Sequence, residues 1–259
     1  MLSKNEKKQY NRHLILEEIG SMGQEKLKQF KVLVVGAGGL GCPVLQYLTA
    51  AGVGTIGIVD DDVVDQTNLQ RQVLYTVDDI GGSKVEVASQ KLKRLNPNIA
   101  FDIYNKRLNK ENVVAIFSKF DIIVDGTDNF PTRYLVNDGA VLANKPVVFG
   151  SIFKFEGQVS VFNFQHGPTY RCLFPEPPGE DALPNCSDSG VLGVVPGIMG
   201  SLMANEVLKM ILDLGKLLNG KLLCLDALSL NQQIVTFSKN ENSKITSLQD
   251  DYHIFCGTQ

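Results

Sequence analysis

The sequence predicts an α/β fold: a Rossmann-like, doubly wound and largely parallel sheet that continues into antiparallel strands, with helices at the N-terminus. Short β-branched runs alternate with segments of helical period from residue 31 to residue 150, which indicates a parallel sheet with crossover helices. A glycine-rich turn at residues 36–41 joins the first run to the first of these helices. After residue 150 the apolar runs are typical of antiparallel strands, so we expect the sheet to change direction there.

The elements of the first half follow from local patterns. Residues 1–30 mix polar and apolar side chains and predict one or two amphipathic helices. The run at 31–36 is short and valine-rich, as in a strand buried on both faces. Further strands are predicted at 55–60, 99–104, 121–126 and 146–150, and helices at 42–51, 83–96, 110–120 and 130–144.

The second half has a different pattern. Strands are predicted at 157–164, 221–228 and 232–238, with an apolar helix at 194–213 and a Pro- and Gly-rich stretch at 167–190. Repeats and linkers are not evident, so we expect one domain over residues 1–259. Its parts are the N-terminal helices (1–30), a half that contains the glycine-rich turn (31–150), a second half (151–238) and a polar tail (239–259).

Composition excludes several classes of protein. The 259 residues are 44% hydrophobic and 20% charged, which is typical of a globular chain. The net charge of −3 lacks the basic excess of nucleic-acid-binding domains. The uncharged stretch between Lys31 and Asp60 is broken by seven glycines and Pro43, so we expect no membrane span. Five scattered cysteines suit a reducing compartment, and we expect a cytoplasmic protein.

The glycine turn has the pattern G-x-G-x-x-G between a strand and a helix. Glycines let backbone amides approach a phosphate, and the helix N-terminus adds positive potential. Asp60 ends the next predicted strand, where a carboxylate can accept the ribose hydroxyls of a nucleotide. The alternative is a tight turn with no ligand, and the motif alone would favour an NAD-dependent dehydrogenase. The glycines concerned are Gly36, Gly38, Gly39 and Gly41.

Polar residues follow other predicted strands or open the helices after them. Arg71 and Lys84 supply positive charge, which stabilises the charge that builds up in attack on a phosphate and which hydride transfer does not require. Asp128 is a candidate ligand for Mg²⁺. Each has a plainer interpretation: a solvated loop charge, a first-turn lysine and a helix N-cap. The full set is Asn68, Arg71, Gln72, Lys84, Asp128 and Asn129.

Taken together, these residues resemble the HesA/MoeB/ThiF family of adenylyltransferases, which activate sulfur-carrier proteins and are relatives of ubiquitin-activating enzymes. The resemblance runs through nearly the whole chain. Its motifs are YNRHLIL (10–16), VLVVGAGGLG (32–41), VDDD (59–62), NLQRQ (68–72), DGTDN (125–129), GQVSVF (157–162), YRCLFPEPP (170–178), SGVLGVVPGIMGSLMANEVLK (189–209) and LDAL (225–228).

The resemblance implies an activity. ATP would lie over the glycine loop with Asp60 at the ribose, and Mg²⁺ at Asp128. The C-terminal Gly-Gly of a small ubiquitin-like sulfur carrier would lie across the site, bound by the half at 151–238, and its carboxylate would attack the α-phosphate. A carboxylate is ionised at pH 7, so no general base is required. The residues implied around the nucleotide are Asp62, Asn68, Arg71, Gln72, Lys84 and Asn129.

The resemblance also implies a homodimer and roles for cysteines. Arg12 corresponds to an arginine that reaches the nucleotide of the partner subunit. Cys186 corresponds to a cysteine in a crossover loop, where a thiolate would attack an acyl-adenylate, or where a cysteine is merely tolerated. The family usually holds a structural zinc in two C-x-x-C pairs. Here these pairs are Thr169/Cys172 and His253/Cys256, so we expect the zinc to be lost.

Several functions remain open at this stage. Molybdopterin synthesis is favoured, and the thiamine-thiazole carrier is the nearest alternative because both carriers end in Gly-Gly. A tRNA-modifying, adenylate-forming dehydratase and a non-catalytic partner subunit are more distant alternatives. The complete nucleotide motifs argue against the inactive partner, and the acidic composition argues against binding tRNA.

Overall fold

The computed structural model describes residues 1–177, 190–240 and 243–252. Each strand arises from one of the apolar runs of the sequence. The strands are β1 (Lys31–Val35), β2 (Thr55–Asp60), β3 (Ala100–Asn105), β4 (Ile122–Asp125), β5 (Val147–Phe153), β6 (Glu156–Phe162), β7 (Lys221–Asp226) and β8 (Gln232–Thr236).

The helices precede, connect and follow these strands. Most begin at a polar cap or a glycine, since such residues leave the first backbone amides of a helix accessible or bonded. The helices are α1 (Lys4–Gln9), α2 (Asn11–Leu14), α3 (Gly20–Gln29), α4 (Gly41–Ala51), α5 (Lys84–Leu95), α6 (Val113–Phe117), α7 (Phe130–Leu142), α8 (Tyr170–Leu173) and α9 (Val194–Leu212).

The described strands form one eight-stranded sheet in the order β3-β2-β1-β4-β5-β6-β7-β8. Strands β1 to β5 run parallel, whereas β5 to β8 pair antiparallel. The chain winds from β1 outward through β2 and β3, and then returns to the other side of β1 with β4. Loops that leave β1 and β4 therefore diverge, and ligands bind at such a switch point. A doubly wound, largely parallel sheet that continues into antiparallel strands is the fold class that the sequence predicted.

Alternation along β1 builds a core on each face of the sheet. Val32 and Val34 belong to a buried cluster with residues of α4, α5 and α9. Leu33 and Val35 belong to a second cluster with residues of α6 and α7. Successive side chains of a strand point to opposite faces, so a continuous apolar run predicts helices on both sides.

Some elements differ from their predicted bounds. The N-terminal region contains three short helices rather than one or two. The helix predicted at 110–120 covers only Val113–Phe117, because the side chains of Asn109 and Asn112 bond each other's backbone amides and hold a turn there. Strand β5 was predicted to end at residue 150 but continues to Phe153. The glycine at position 150 lies within the strand and gives room to α9, since a side chain there would collide with Met203.

The uncharged stretch between Lys31 and Asp60 folds as β1, the glycine loop, α4 and β2, as expected. Among the described residues, α9 is the one helix that is long and apolar enough to span a membrane by length and composition. It packs against α4, β5 and β6, and just over half of its most apolar stretch is buried. A helix in the core of a globular domain has the same features.

Candidate active site

A cavity of about 840 Å³ lies at the carboxyl ends of the parallel strands. Its walls come from the loops after β1, β2, β3, β4 and β5 together with the segment that precedes α9. Most of the predicted site residues therefore meet in one place. Those that line it are Gly36, Gly38, Gly39, Asp60, Asp62, Asn68, Arg71, Gln72, Lys84, Asp128 and Asn129.

The glycine loop is tight enough to require glycine at two positions. Gly36 has a φ of +89°, and a Cβ there would lie 2.9 Å from the carbonyl oxygen of Gly126. A Cβ on Gly41 would lie 1.9 Å from the carbonyl oxygen of Gly36. Gly41 begins α4 and does not itself line the cavity. The loop thus closes against the end of β4, and the N-terminus of α4 adds positive potential behind it.

The Asp60 carboxylate braces this loop. Its two oxygens accept the backbone N–H groups of Ala37 at 2.7 Å and Asp62 at 2.9 Å. Burial raises the pKa of Asp60, and the Lys84 ammonium and the two amides oppose that rise. Asp60 lies at the end of β2 and lines the cavity, where its remaining acceptor capacity suits the ribose hydroxyls of a nucleotide.

The segment after β2 holds Arg71 in a defined orientation. Its guanidinium donates to Asn68 Oδ1 at 2.7 Å and to the carbonyl of Thr67 at 3.3 Å. Neighbouring Gln72 is buried, and its Oε1 has no hydrogen-bond partner among the described residues. A buried amide oxygen without a donor is costly, so this atom marks the wall as one suited to a polar ligand.

Lys84 is the first residue of α5, and its side chain is 5% exposed. Its Nζ lies 2.7 Å from Oδ2 of Asp62, a residue that is itself 68% exposed. The backbone N–H of Lys84 also bonds the carbonyl of Asp62 at 3.0 Å. The ammonium is therefore held in place at the cavity wall, unlike the solvated first-turn lysine of the plainer interpretation.

The loop after β4 presents Asp128 to the cavity. Asn129, rather than Asp128, caps α7, because Asn129 Oδ1 accepts the Thr132 N–H at 3.0 Å. Asp128 is exposed, and its Oδ1 is 3.4 Å from Asn129 Nδ2. The helix-cap interpretation of Asp128 is thus wrong, and its carboxylate stays accessible to a cation.

Buried residues hold the conformation of the same loop through hydrogen bonds to Thr127. Asp125 accepts both the backbone N–H and the hydroxyl of Thr127, at 3.0 and 2.6 Å. Burial raises the pKa of Asp125, and Arg133 opposes that rise. Arg133 donates to the carbonyl of Thr127 at 3.2 Å, and its guanidinium carbon lies 5.3 Å from the ring centre of Phe130.

Four cavity-lining cations were missed from the sequence. Lys106 and Arg107 directly follow β3, so the rule that ligands bind at strand ends could have indicated them. Lys154 follows β5. Arg133 lies within α7 and is buried, and its Nε has no hydrogen-bond partner among the described residues. Only its packing brings it to the cavity, and no local pattern signals that.

Three predicted groups lie elsewhere. Arg12 is exposed on α2 and does not line the cavity. Cys186, like His253 and Cys256 of the second candidate zinc pair, lies outside the described residues. In the first pair, Cys172 Sγ accepts the backbone N–H groups of Thr169 and Asn240, both at 3.3 Å. The pair as described offers one thiol to a metal, too few by itself for a zinc site.

Comparison with curated proteins shows close relatives. The chain is 49% identical to the "Sulfur carrier protein adenylyltransferase" of Thermus thermophilus over 98% of both chains. It is 50% identical to the "Probable adenylyltransferase/sulfurtransferase MoeZ" of Mycobacterium tuberculosis, over 99% of this chain and 66% of MoeZ. It is 46% identical to the "Adenylyltransferase and sulfurtransferase MOCS3" of Xenopus laevis, over 96% of this chain and 57% of that protein. The chain thus spans only part of the latter two.

Solved structures show the same fold. The crystal structure of E. coli MccB with ATP is similar to this chain with a TM-score of 0.73 and 24% identity, over 86% of this chain and 68% of MccB. PaaA is similar with a TM-score of 0.77 and 24% identity, over 92% of this chain and 76% of PaaA. Residues 10–246 match the sequence model of a protein family described as "ThiF family". Together with the near-full-length Thermus relative, this shows that the chain belongs to the ThiF family, as its motifs predicted.

Proposed function

We propose that this protein uses ATP to adenylylate the C-terminal glycine of a small ubiquitin-like sulfur carrier, in the synthesis of molybdopterin. The observation that carries the proposal is the meeting of a glycine loop, two oriented cations and an exposed carboxylate in one cavity. The names of the Thermus, mycobacterial and frog relatives support adenylyl transfer to a sulfur carrier. Molybdopterin synthesis rather than thiamine synthesis is the finer part of the proposal.

The reaction is a displacement at phosphorus. A carboxylate oxygen of the carrier's terminal glycine forms a bond to the α-phosphorus of ATP. The bond from that phosphorus to the bridging oxygen of the β-phosphate breaks, and pyrophosphate leaves with the electron pair. The products are an acyl-adenylate and pyrophosphate, and no proton is transferred. The protein therefore contributes orientation and stabilisation of negative charge.

The residues that line the cavity suit a nucleoside triphosphate. Asp60 would accept the ribose hydroxyls, while Arg71, Lys84 and Asn68 would surround the phosphates. Gln72 Oε1, which none of the described residues bonds, fits a ligand that brings hydrogen-bond donors into the cavity. An exposed Asp128 carboxylate suits a hard cation such as Mg²⁺, which neutralises phosphate charge when bound. Asp62 would keep the Lys84 ammonium turned toward the phosphates, and Asn129 would hold the loop that carries Asp128.

We further propose a homodimer in which Arg12 of one subunit reaches the nucleotide of its partner. Arg12 is exposed on a short helix outside the cavity wall, so its guanidinium is available to a second chain. Residues 31–150 would form the nucleotide-binding half, and residues 151–238 would bind the carrier. A covalent bond from Cys186 to the carrier, a cytoplasmic location and the loss of zinc stay predictions.

The test is ATP–pyrophosphate exchange with Mg²⁺, measured with purified sulfur carriers that end in Gly-Gly. We expect exchange that requires a carrier and disappears when the carrier's last glycine is deleted. A molybdopterin-type carrier and a thiamine-type carrier are compared at equal concentration. Faster exchange with the first supports the proposed pathway, and faster exchange with the second replaces it by thiamine synthesis.

Other outcomes contradict the proposal. ATP binding without exchange on any carrier would favour the tRNA-modifying dehydratase or a non-catalytic partner subunit. Carrier-independent exchange would point to a small-molecule acid as the acceptor. Tight binding of NAD with no measurable binding of ATP would return the glycine loop to a dehydrogenase role.

A further inference from the structure

Tyr75 lies behind the glycine loop, outside the cavity. Its ring is buried, and its hydroxyl donates to the carbonyl oxygen of Ala37 at 2.8 Å. The same hydroxyl lies 3.4 Å from the carbonyl oxygen of Lys84. The Tyr75 N–H bonds the carbonyl of Gln72 at 3.1 Å. The Tyr75 side chain therefore contacts the glycine loop and the start of α5, and its backbone is bonded to the arginine-bearing segment.

The Ala37 residue is clamped on both sides. Its N–H donates to Asp60 Oδ2 at 2.7 Å, and its carbonyl accepts from Tyr75. In a trans peptide the carbonyl of one residue and the N–H of the next point in opposite directions. Because the Ala37 carbonyl is directed into the interior at Tyr75, the Gly38 N–H is directed the other way. Gly38 lines the cavity, whereas Ala37 does not.

We propose that the Tyr75 hydroxyl is a positioning group that locks the Ala37–Gly38 peptide, so that the Gly38 N–H points into the cavity and donates to a nucleotide phosphate. The proposal rests on the nucleotide role of the cavity given above and adds a residue to it. Without the hydroxyl, the Ala37 carbonyl loses the one strong donor that the described part of the chain gives it, and the peptide can rotate. A rotated peptide would turn a carbonyl oxygen toward the phosphates, which repels them.

The Tyr75 hydroxyl is suited to this task. Burial raises the pKa of Tyr75 well above its ordinary value, so the phenol stays protonated and remains a donor at every physiological pH. The other group beside the same carbonyl is the thiol of Cys42, whose Sγ lies 3.5 Å from the Ala37 oxygen. A thiol is a weak donor and does not replace a phenol at 2.8 Å.

The test compares a ligand with phosphates and one without. In Tyr75→Phe, we expect the dissociation constant for ATP to rise about tenfold and that for adenosine to change less than about twofold, because only ATP uses the Gly38 amide. ATP binding is measured by titration calorimetry and adenosine binding by ligand-observed NMR. An unfolded fraction would affect the binding of ATP and adenosine equally. The ratio of the two dissociation constants therefore measures the change in the contact between the glycine loop and the phosphates.

The matched control is Tyr252→Phe. The Tyr252 hydroxyl is also buried and donates to Asp138 Oδ2 at 2.8 Å, away from the cavity. We expect this variant to lower the melting temperature, as Tyr75→Phe does, and to leave the affinity for ATP unchanged. If Tyr75→Phe weakens the binding of ATP and adenosine by the same factor, or changes neither affinity, Tyr75 is only structural and the proposal is wrong.

Failure of the wider function would be visible separately. The binding comparison needs no carrier, so the Tyr75 result can be read even when the wild-type protein exchanges pyrophosphate with neither carrier. A wild-type protein that binds no ATP would overturn both proposals together.

Discussion

Replacement of Lys84 by methionine separates catalysis from stability. Lys84→Met keeps most of the aliphatic stem and removes the ammonium that faces Asp62 across 2.7 Å. The variant leaves the Asp62 carboxylate without this partner, but that side chain is 68% exposed, so solvent can compensate its charge. The half-buried Asp60 also loses the nearby ammonium, but it keeps the backbone N–H groups of Ala37 and Asp62 as donors.

The expected stability change is therefore small. Ion pairs with one solvated partner contribute about 0.2–1 kcal/mol, and methionine retains the packing of the stem. For a chain of 259 residues, a loss of about 1 kcal/mol lowers the melting temperature by roughly 2–4 °C. We expect Lys84→Met to fall within that range.

The expected catalytic change is much larger. A unit charge about 4 Å from a phosphate charge contributes about 4 kcal/mol at an effective dielectric constant of about 20. Loss of one preorganised group that stabilises developing charge typically lowers turnover by about 10²–10³-fold. We therefore expect carrier-dependent exchange by Lys84→Met to fall by about two to three orders of magnitude.

The assay is pyrophosphate exchange at saturating ATP, with thermal unfolding of the same samples. Lys91→Met is the matched control, because Lys91 lies on the same helix, forms an ion pair with Asp79 and does not line the cavity. We expect it to retain wild-type exchange with a similar change in melting temperature. Equal exchange by the two variants would refute the assignment of Lys84 to the phosphates.

Three further predictions concern the loop, the ribose site and the dimer. Gly36→Ala combines a φ of +89° with a backbone oxygen 2.9 Å from the new Cβ, whereas Gly81→Ala has a φ of +84° and open space. The positive φ by itself costs each variant about 1–2 kcal/mol. Chemical denaturation should therefore show a larger decrease in the free energy of unfolding for Gly36→Ala than for Gly81→Ala, and equal decreases would contradict the close approach. Because burial raises the pKa of Asp60, acidification protonates it at a higher pH than an ordinary aspartate, so the KM for ATP should rise as the pH falls toward that range. A KM that stays constant down to about pH 4 would show that this carboxylate does not contact the ribose. Arg12→Ala and Arg71→Ala should each be inactive, and mixing them should restore part of the exchange if Arg12 acts across the dimer; no recovery in a mixture shown to exchange subunits would exclude that role.

Much of this fold could be predicted because its signals are local. Valine-rich runs predict strands buried on both faces, and Gly36 and Gly41 occupy a turn in which a side chain would collide with backbone. The strand-end rule located Arg71, Lys84 and Asp128 correctly at one cavity, since carboxyl ends of parallel strands meet at the same edge of the sheet. Helix ends were less accurate, because the Asn109–Asn112 bonds compete with a helical turn.

The sequence by itself determined the alternation of elements, the glycine loop and the chemistry of the side chains at the strand ends, because these depend on short-range sterics and periodicity. Only the tertiary structure decided which of those side chains are held and by what. Lys84 is fixed by Asp62, which is 22 positions away, and the Ala37 carbonyl accepts a hydrogen bond from Tyr75, which is 38 positions away. Such contacts join residues that are distant in sequence, and their energies depend on burial and distance in the folded chain, which no local pattern records.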